Sequence, residues 1–393
     1  MSTSDESTVE PKRRIQFAFT DEQEQFRSAV RRFLKDRSPT TEVRRLMATP
    51  EGYDPAVWRQ LSEDMALPGI HITEQYGGAG FGMVELCIVA EELGRALLCA
   101  PYFSTAVLAA NAIMNAATEA QKSALLPDVA KGAQLATLAI TEPDGNWDPA
   151  SIQLVATPEA DGYRLDGVKS YVVDGNIADL LIVAARVPNT VGRDGLALFT
   201  LGPKTGGVER HPLESMDPTR KIARIDFRGA HANLLGSLDD GANAILRTLD
   251  QAAIALANEM VGGAQMLLES AVDYAKLRVQ FGRTIGSFQA IKHKLADMLL
   301  DVELAKSAAY YAAQAAAVND PEGPALASLA KASASETYLH TAIECIQIHG
   351  GIGFTWDNDT HLWFKRAKSS EVFLGLPSYH RELLMQRWSL SDE

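Results

Sequence analysis

Residues 278–289 read RVQFGRTIGSFQ, and the way this stretch is read decides how the C-terminal third folds. Upstream, AVDYAKLR is helical text that runs into a break at Gly282. Downstream, SFQAIKHKLADM restarts a helix, with Ser287 in the position of an N-cap. Phe288, Ile291, Leu295, Met298, Leu299 and Val302 recur at spacings of three and four, which predicts one packed face and one wet face. The broken turn carries Arg278 just before it and Gln289 just after. That arrangement either presents a cation and an amide to one polar ligand or is a solvated helix end, and these residues alone leave both readings open.

Working outward, residues 347–354 read QIHGGIGF, where Gly350, Gly351 and Gly353 let backbone come close to a ligand. Composition limits the rest. A chain of 393 residues is long enough for two or three packed units. Its net charge of −13, with no clustered cations, argues against nucleic acid as a partner. Cys87, Cys99 and Cys345 lack metal-ligand spacing and read as small buried hydrophobes in a reducing compartment. His340 and His361 have no carboxylate or cysteine at ligand spacing, so no metal is expected. No apolar run reaches membrane-spanning length, and residues 1–14 read as a disordered tail of a cytoplasmic protein.

The text from 15 to 135 is helical. Thr20 and Gln23 form a capping-box pattern, followed by Phe26, Val30, Phe33 and Leu34 as a buried face. The glycines between Gly77 and Gly82 follow no strand, so they read as a turn and helix start, not a phosphate cradle. From 136 to 240 the period changes. SIQLVATPEADGYRLDGVKSYVV alternates around an Asp161-Gly162 turn, and DLLIVAARV, GLALFTL and ARIDFRG follow as short strands. Residues 216–220, MDPTR, read as a Pro-set turn between strands, with Arg220 either solvated, the favoured reading, or facing a CoA phosphate. From 241 to 393 the helical period returns. The class is therefore α+β, with helices, then strands, then helices.

RxQFGRxIGxFQ paired with QIHGGIGF resembles the flavin-dependent acyl-CoA dehydrogenase family, and the resemblance covers nearly the whole chain. It implies an N-terminal helical domain, a central β-barrel-like domain and a C-terminal four-helix bundle. It also implies FAD as cofactor, an acyl-CoA substrate and an electron-transfer flavoprotein as acceptor. YAKLRVQFGRTIGSFQAIKHKLADM and HGGIGFTWDNDTHLWFKRAKSSE look like the branch that contains the heteromeric enzymes of actinobacterial steroid side-chain degradation.

Desaturation of this kind needs a carboxylate over the α-carbon, donors to the thioester oxygen and an acceptor for the β-hydride. The family's usual base sits in a Tyr-Glu-Gly-Thr motif, where this chain has Phe373, Leu374, Gly375 and Leu376. A minority of members place the base on the helix before QFG. That position is Ala252 here, beside Ala253 where the family often has Arg. Leucine and alanine cannot take a proton, so the catalytic base is unknown. Glu371 and Glu259 are displaced candidates, but Glu259 lies about 10 Å along the helix from Ala252.

The resemblance assigns cofactor contacts residue by residue. Ile140 and Thr141 begin a stretch similar to the TEPxxGSD loop along the flavin, with Trp147 where the family keeps a small serine. Tyr171 takes the stacking position of KxWITNG, and Val173 replaces its threonine. Arg278, Phe281, Gln289, Gln347, Gly350 and Gly351 match the set that contacts the ADP half of FAD held by a neighbouring subunit. A half-site directed at a neighbour implies a homo- or heterotetramer. The leading reading is a base-lacking subunit that completes the flavin site of a Glu-bearing paralogue. The alternatives are a self-sufficient homotetramer with a displaced base, a flavin hydroxylase on the same fold, and a protein without flavin.

Overall fold

The computed structural model describes residues 18–389. The expected tail over 1–14 and the helical start at Ile15 lie outside the described residues. The chain opens with α1 (Asp21–Arg37), α2 (Thr40–Met47), α3 (Pro55–Glu63), α4 (Met83–Ala96), α5 (Ala110–Ala116) and α6 (Glu119–Ala130). The Thr20–Gln23 capping box is present: the Gln23 backbone N–H donates to Thr20 Oγ1 at 3.2 Å, and the Thr20 N–H donates to Gln23 Oε1 at 3.0 Å. Val30 and Leu34 are buried, with Phe26 and Phe33 packed against the same core. A π-helical turn, Phe103–Ala109, leads into α5. Such turns are rare and gather at functional sites.

The sheet comprises β1 (Ala136–Ala139), β2 (Val155–Glu159), β3 (Gly162–Val173), β4 (Leu180–Arg186), β5 (Leu196–Leu201), β6 (Val208–Leu213) and β7 (Ile222–Leu235). β2, β3, β7, β5 and β4 pair in a closed ring, with β1 added in parallel to β4 and β6 added to β7. The β2–β3 hairpin turns at Ala160-Asp161, one residue earlier than read from sequence, because Gly162 already pairs with Glu159. β3 carries a bulge between Lys169 and Val172, which matters for the site.

α7 (Gly241–Leu277), α8 (Gln289–Ala317), α9 (Gly323–His349), α10 (Thr360–Val372) and α11 (Pro377–Ser389) form the C-terminal helical layer. α7 also crosses α4 at backbone distance: a Cβ on Gly94 would lie 1.9 Å from Glu259 O, and one on Gly262 the same distance from Glu91 O. Only glycine permits that approach, which holds Glu259 close to the N-terminal helices. Between α7 and α8 the break folds as a two-stranded hairpin, β8 (Val279–Gln280) and β9 (Arg283–Thr284), with Phe281 and Gly282 at its tip. Ser287 is not the N-cap of α8. Its hydroxyl donates to Thr284 O at 2.7 Å, and the helix starts after Phe288. Met298 and Val302 are buried as expected, whereas Leu299 is exposed. All three cysteines are buried and unpaired, and burial pushes the Cys99 and Cys345 thiols up to about 12. Among the described residues, no helix is long and apolar enough to cross a membrane.

Candidate functional site

A cavity of about 480 Å³ lies between the sheet and α10. Trp147, Tyr171 and Val173 line it from the sheet side, Met216 and Arg220 from the β6–β7 turn, and Phe373 from just beyond α10. Tyr171 owes its place to the β3 bulge. It has φ 58°, a left-handed conformation that a bulky residue adopts only when its surroundings impose it. The surroundings here are explicit. Lys169, fully buried, donates to Ile140 O at 2.7 Å and to Glu142 Oε1 at 3.0 Å. Thr141 Oγ1 donates to Ser170 O at 2.6 Å, and the Ser170 N–H donates to Thr141 O at 2.9 Å. These bonds tie the loop after β1 to the bulge and leave the Tyr171 ring half-exposed at the cavity wall. Ile140 and Thr141 are buried behind that wall. Trp147 meets the Phe373 ring edge-on at 5.3 Å.

Arg220 is not solvated. It is 7% exposed, and its guanidinium lies 5.0 Å from the Phe373 ring and 5.5 Å from the Phe103 ring. It donates to Glu259 Oε1 at 2.6 Å, and Arg366 donates to the same oxygen at 2.8 Å. Arg366 also donates to Asp217 Oδ2 at 2.8 Å and to Thr219 Oγ1 at 2.6 Å. The β6–β7 turn is therefore folded inward by a buried network of two cations and two anions. A buried charge is tolerated only in such company. Burial pulls Arg220 below its ordinary pKa, against the opposing pull of Glu259.

Both base positions are apolar and enclosed. Leu374 is 3% exposed with φ 62°, and Ala252 is 0% exposed. Leu374 does not line the large cavity. It borders a separate void of about 20 Å³ with Trp147, Tyr379 and His380. The turn that carries it is held from behind: the His380 Nε2–H donates to Leu374 O at 2.9 Å, and Lys331 donates to Gly375 O at 2.9 Å and Glu371 O at 3.1 Å. Burial lowers Lys331 to about 7. Of the displaced candidates, Glu259 is clamped by two arginines, and the Glu371 carboxylate accepts from Lys368. Neither lines the large cavity.

Arg278, Phe281, Gln289, Gln347, Gly350 and Gly351 are all exposed, and none lines that cavity. Phe281, with φ 52° and 92% exposure, stands at the hairpin tip. His349, buried, stacks on Tyr274 at 4.3 Å and accordingly joins the end of α9 to the end of α7. Among the described residues, no atom lies within 4 Å of where a Cβ would stand on Gly350 or Gly351, so their backbone is open to a ligand. Of the sequence-assigned contacts, the structure brings only Tyr171 into the cavity. The cavity's aromatic and aliphatic walls suit a flat, largely apolar ring, and the open glycines flanked by exposed amides suit a polar tail, so both surfaces fit FAD chemically.

Sequence reasoning missed Arg366, Asp217, Asp174 and Phe103. A signal for Arg366 existed: Leu362, Trp363, Arg366, Ala367 and Ser370 share the buried face of α10, and a cation in an apolar stripe requires a buried partner. His340 does have a carboxylate beside it, Asp301 at 3.0 Å on the neighbouring helix. Glu209, His211 and Asp226 also meet across β6 and β7, where Arg228 and Arg224 already bind the two carboxylates.

Asp174 supplies a test of the site's electrostatics. Ser104 donates to its carboxylate at 2.6 Å, and burial raises its pKa from 3.8 to about 6. Between those values the folded state holds more protons than the unfolded state, so stability falls as pH rises through that window. Asp174→Asn is expected to stabilise the protein near neutral pH by on the order of 2 kcal/mol. The gain should vanish below the ordinary carboxylate range. Urea midpoints at neutral and acid pH check this, and an equal gain at both would contradict it.

Three family models match the chain: the acyl-CoA dehydrogenase N-terminal domain over residues 20–133, the middle domain over 137–229 and the C-terminal domain over 239–388. Acyl-CoA dehydrogenase IpdE2 of Mycobacterium tuberculosis is 34% identical over 364 residues, covering 93% of this chain and 95% of that protein. The Tcur3481–Tcur3483 steroid ACAD, solved in a variant form, superposes with a TM-score of 0.86 at 30% identity, covering 95% of this chain and 99% of that one. The ChsE4–ChsE5 complex of Mycobacterium tuberculosis gives 0.85 at 25% identity with the same coverage.

Proposed function

The chain belongs to the acyl-CoA dehydrogenase family, and from that premise we propose that it serves FAD-dependent α,β-desaturation of an acyl-CoA as the subunit that lacks a base and completes a partner's flavin site. The observation that carries this reading is the state of the two base positions. Leu374 and Ala252 are buried and apolar, and the nearby carboxylates Glu259 and Glu371 do not line the cavity and are each held by a cation. Neither position offers a group that could receive an α-proton.

Bound FAD would supply the two-electron acceptor for the reaction. Tyr171, Trp147 and Phe373 line this chain's own cavity, which on this reading holds no reacting flavin. Arg278, Gln289 and Gln347 would donate to the polar half of a flavin seated chiefly in the neighbouring subunit, with Gly350 and Gly351 admitting it to the backbone. Proton abstraction falls to the partner's carboxylate. The assembly is a heterotetramer with a Glu-bearing paralogue, and an electron-transfer flavoprotein takes the electrons onward. Two similar solved proteins are paired assemblies, and one of them is a steroid ACAD, which supports a bulky, steroid-derived acyl group.

Co-expression with a base-bearing paralogue, followed by native mass spectrometry and flavin counting, tests this. The expected product is a mixed tetramer with a single FAD for each pair of chains. A homotetramer with a flavin in every chain would sink it.

A further inference from the structure

The exposed residues Arg278, Gln289, Gln347 and Gly350 gather at one end of the C-terminal bundle. α7 ends at Leu277 just before Arg278, α8 begins at Gln289, and α9 ends at His349 just before Gly350. The His349–Tyr274 stack brings the end of α9 against the end of α7, and the Lys294–Glu344 ion pair brings it against the first turns of α8. Two arms carry most of the exposed set. In the first, the Arg278 N–H donates to Tyr274 O at 2.8 Å, and the Ile285 N–H donates to Arg278 O at 2.8 Å, which fixes Arg278 between the helix end and the hairpin. In the second, the Gly350 N–H closes the last turn of α9 on Ile346 O and Gln347 O. Tyr274 and His349 each belong to the turn that places the exposed residues of its arm, and their rings meet at 4.3 Å and 23°. The His349 ring is held in its orientation. It is buried, and its Nδ1 lies 2.8 Å from Cys345 O one turn back. A carbonyl only accepts, so Nδ1 carries the proton.

We propose that His349 is a positioning residue: its stack on Tyr274 sets the spacing of the two arms, and with it the affinity of this surface for the polar half of a flavin seated in the neighbouring subunit. This rests on the reading of that surface as a flavin half-site. His349 acts through Arg278 on one arm and through Gln347, Gly350 and Gly351 on the other. A stacked pair of rings has a defined separation and tilt, which an aliphatic contact lacks. A ligand held by both arms at once binds less tightly when their spacing is loose, because the arms must then be ordered on binding. Each arm keeps its own hydrogen bonds, so the loss is one of fit and not of all binding.

The test uses two substitutions that divide the features of the histidine. His349→Asn keeps a donor for Cys345 O and removes the ring, whereas His349→Phe keeps the ring and removes the donor. FAD is stripped from the mixed assembly with a base-bearing paralogue and titrated back, with flavin fluorescence as the signal. His349→Asn should weaken FAD binding by about three- to tenfold, the worth of an aromatic pair. His349→Phe should restore native affinity to within about twofold. Tyr274→Leu should match His349→Asn, and the two together should bind no more weakly than either alone, since both remove one contact. Val30→Ala, in the buried face of α1, separates positioning from mere stability: it should lower the urea midpoint and leave FAD affinity native. Native affinity in His349→Asn overturns the inference, as does a His349→Phe protein as weak as His349→Asn. Arg278→Ala combined with Gln347→Ala locates the failure. If that pair also leaves affinity unchanged, the flavin reading itself has failed; if that pair alone weakens binding, only the positioning role has. Should no mixed assembly form, amide hydrogen exchange of the chain alone decides. Faster exchange over 350–356 in His349→Asn but not in His349→Phe supports the stack as the tie between the arms, and equal rates in all three proteins overturn it.

Discussion

Glu259→Gln is expected to destabilise the protein by about 3 kcal/mol, the low end for breaking a buried ion network. Glu259 Oε1 accepts from both Arg220 and Arg366, and neutralising it leaves Arg366 bonded to Asp217 alone and Arg220 with no directly bonded anion. Asp174 acts on the same arginines through space and offsets part of the loss, so its own carboxyl should become more acidic in the variant. Glu371→Gln is the control. Its ion pair with the half-exposed Lys368 is worth about 1 kcal/mol at most. The reading is a denaturant midpoint together with turnover of the assembled enzyme. A Glu259→Gln protein of native stability that has lost turnover by about 10²-fold or more would identify Glu259 as a base and contradict the structural role.

Arg278→Ala combined with Gln347→Ala should lower the FAD affinity of a mixed assembly by about 10- to 100-fold, the range expected for losing hydrogen bonds to a charged ligand. Both residues are exposed, so the fold should be indifferent to the change. Tyr171→Ala in the same chain should leave flavin content unaltered, because Tyr171 belongs to this chain's own cavity and not to the surface offered to a neighbour. Flavin released on dilution and quantified by absorbance separates the two. The reverse pattern, with Tyr171→Ala emptying the assembly and the double variant harmless, would mean that this chain holds its own flavin.

What was legible in the sequence follows from the range of the forces involved. The capping box at Thr20 and Gln23, the order of helices and strands, and the break at Gly282 are set by residues within a few positions of one another, so periodicity and turn chemistry reveal them. Ser287 shows local rules competing: its hydroxyl is used by the turn at Thr284, and the cap falls to Phe288, which has no side-chain acceptor to offer. Arg220 shows where local rules stop. A proline-set turn with an arginine reads as solvated, yet its burial is decided by Glu259 and Arg366, both remote in sequence. The left-handed backbone of Tyr171 and of Leu374 is likewise imposed from outside, by the Lys169 tether in one case and by Lys331 and His380 in the other. Leu374 was visible as a missing carboxylate; that it borders a different void from the one Phe373 lines was not.

The most direct test of the base-lacking reading is turnover by the purified chain alone, followed by dye reduction with added FAD and a panel of acyl-CoA thioesters, and repeated after reconstitution with a base-bearing paralogue. The expected result is no dye reduction from the chain alone and turnover once the partner is present, abolished when the partner's carboxylate is changed to the amide. Dye reduction by the chain alone, with a flavin in every protomer, would contradict it.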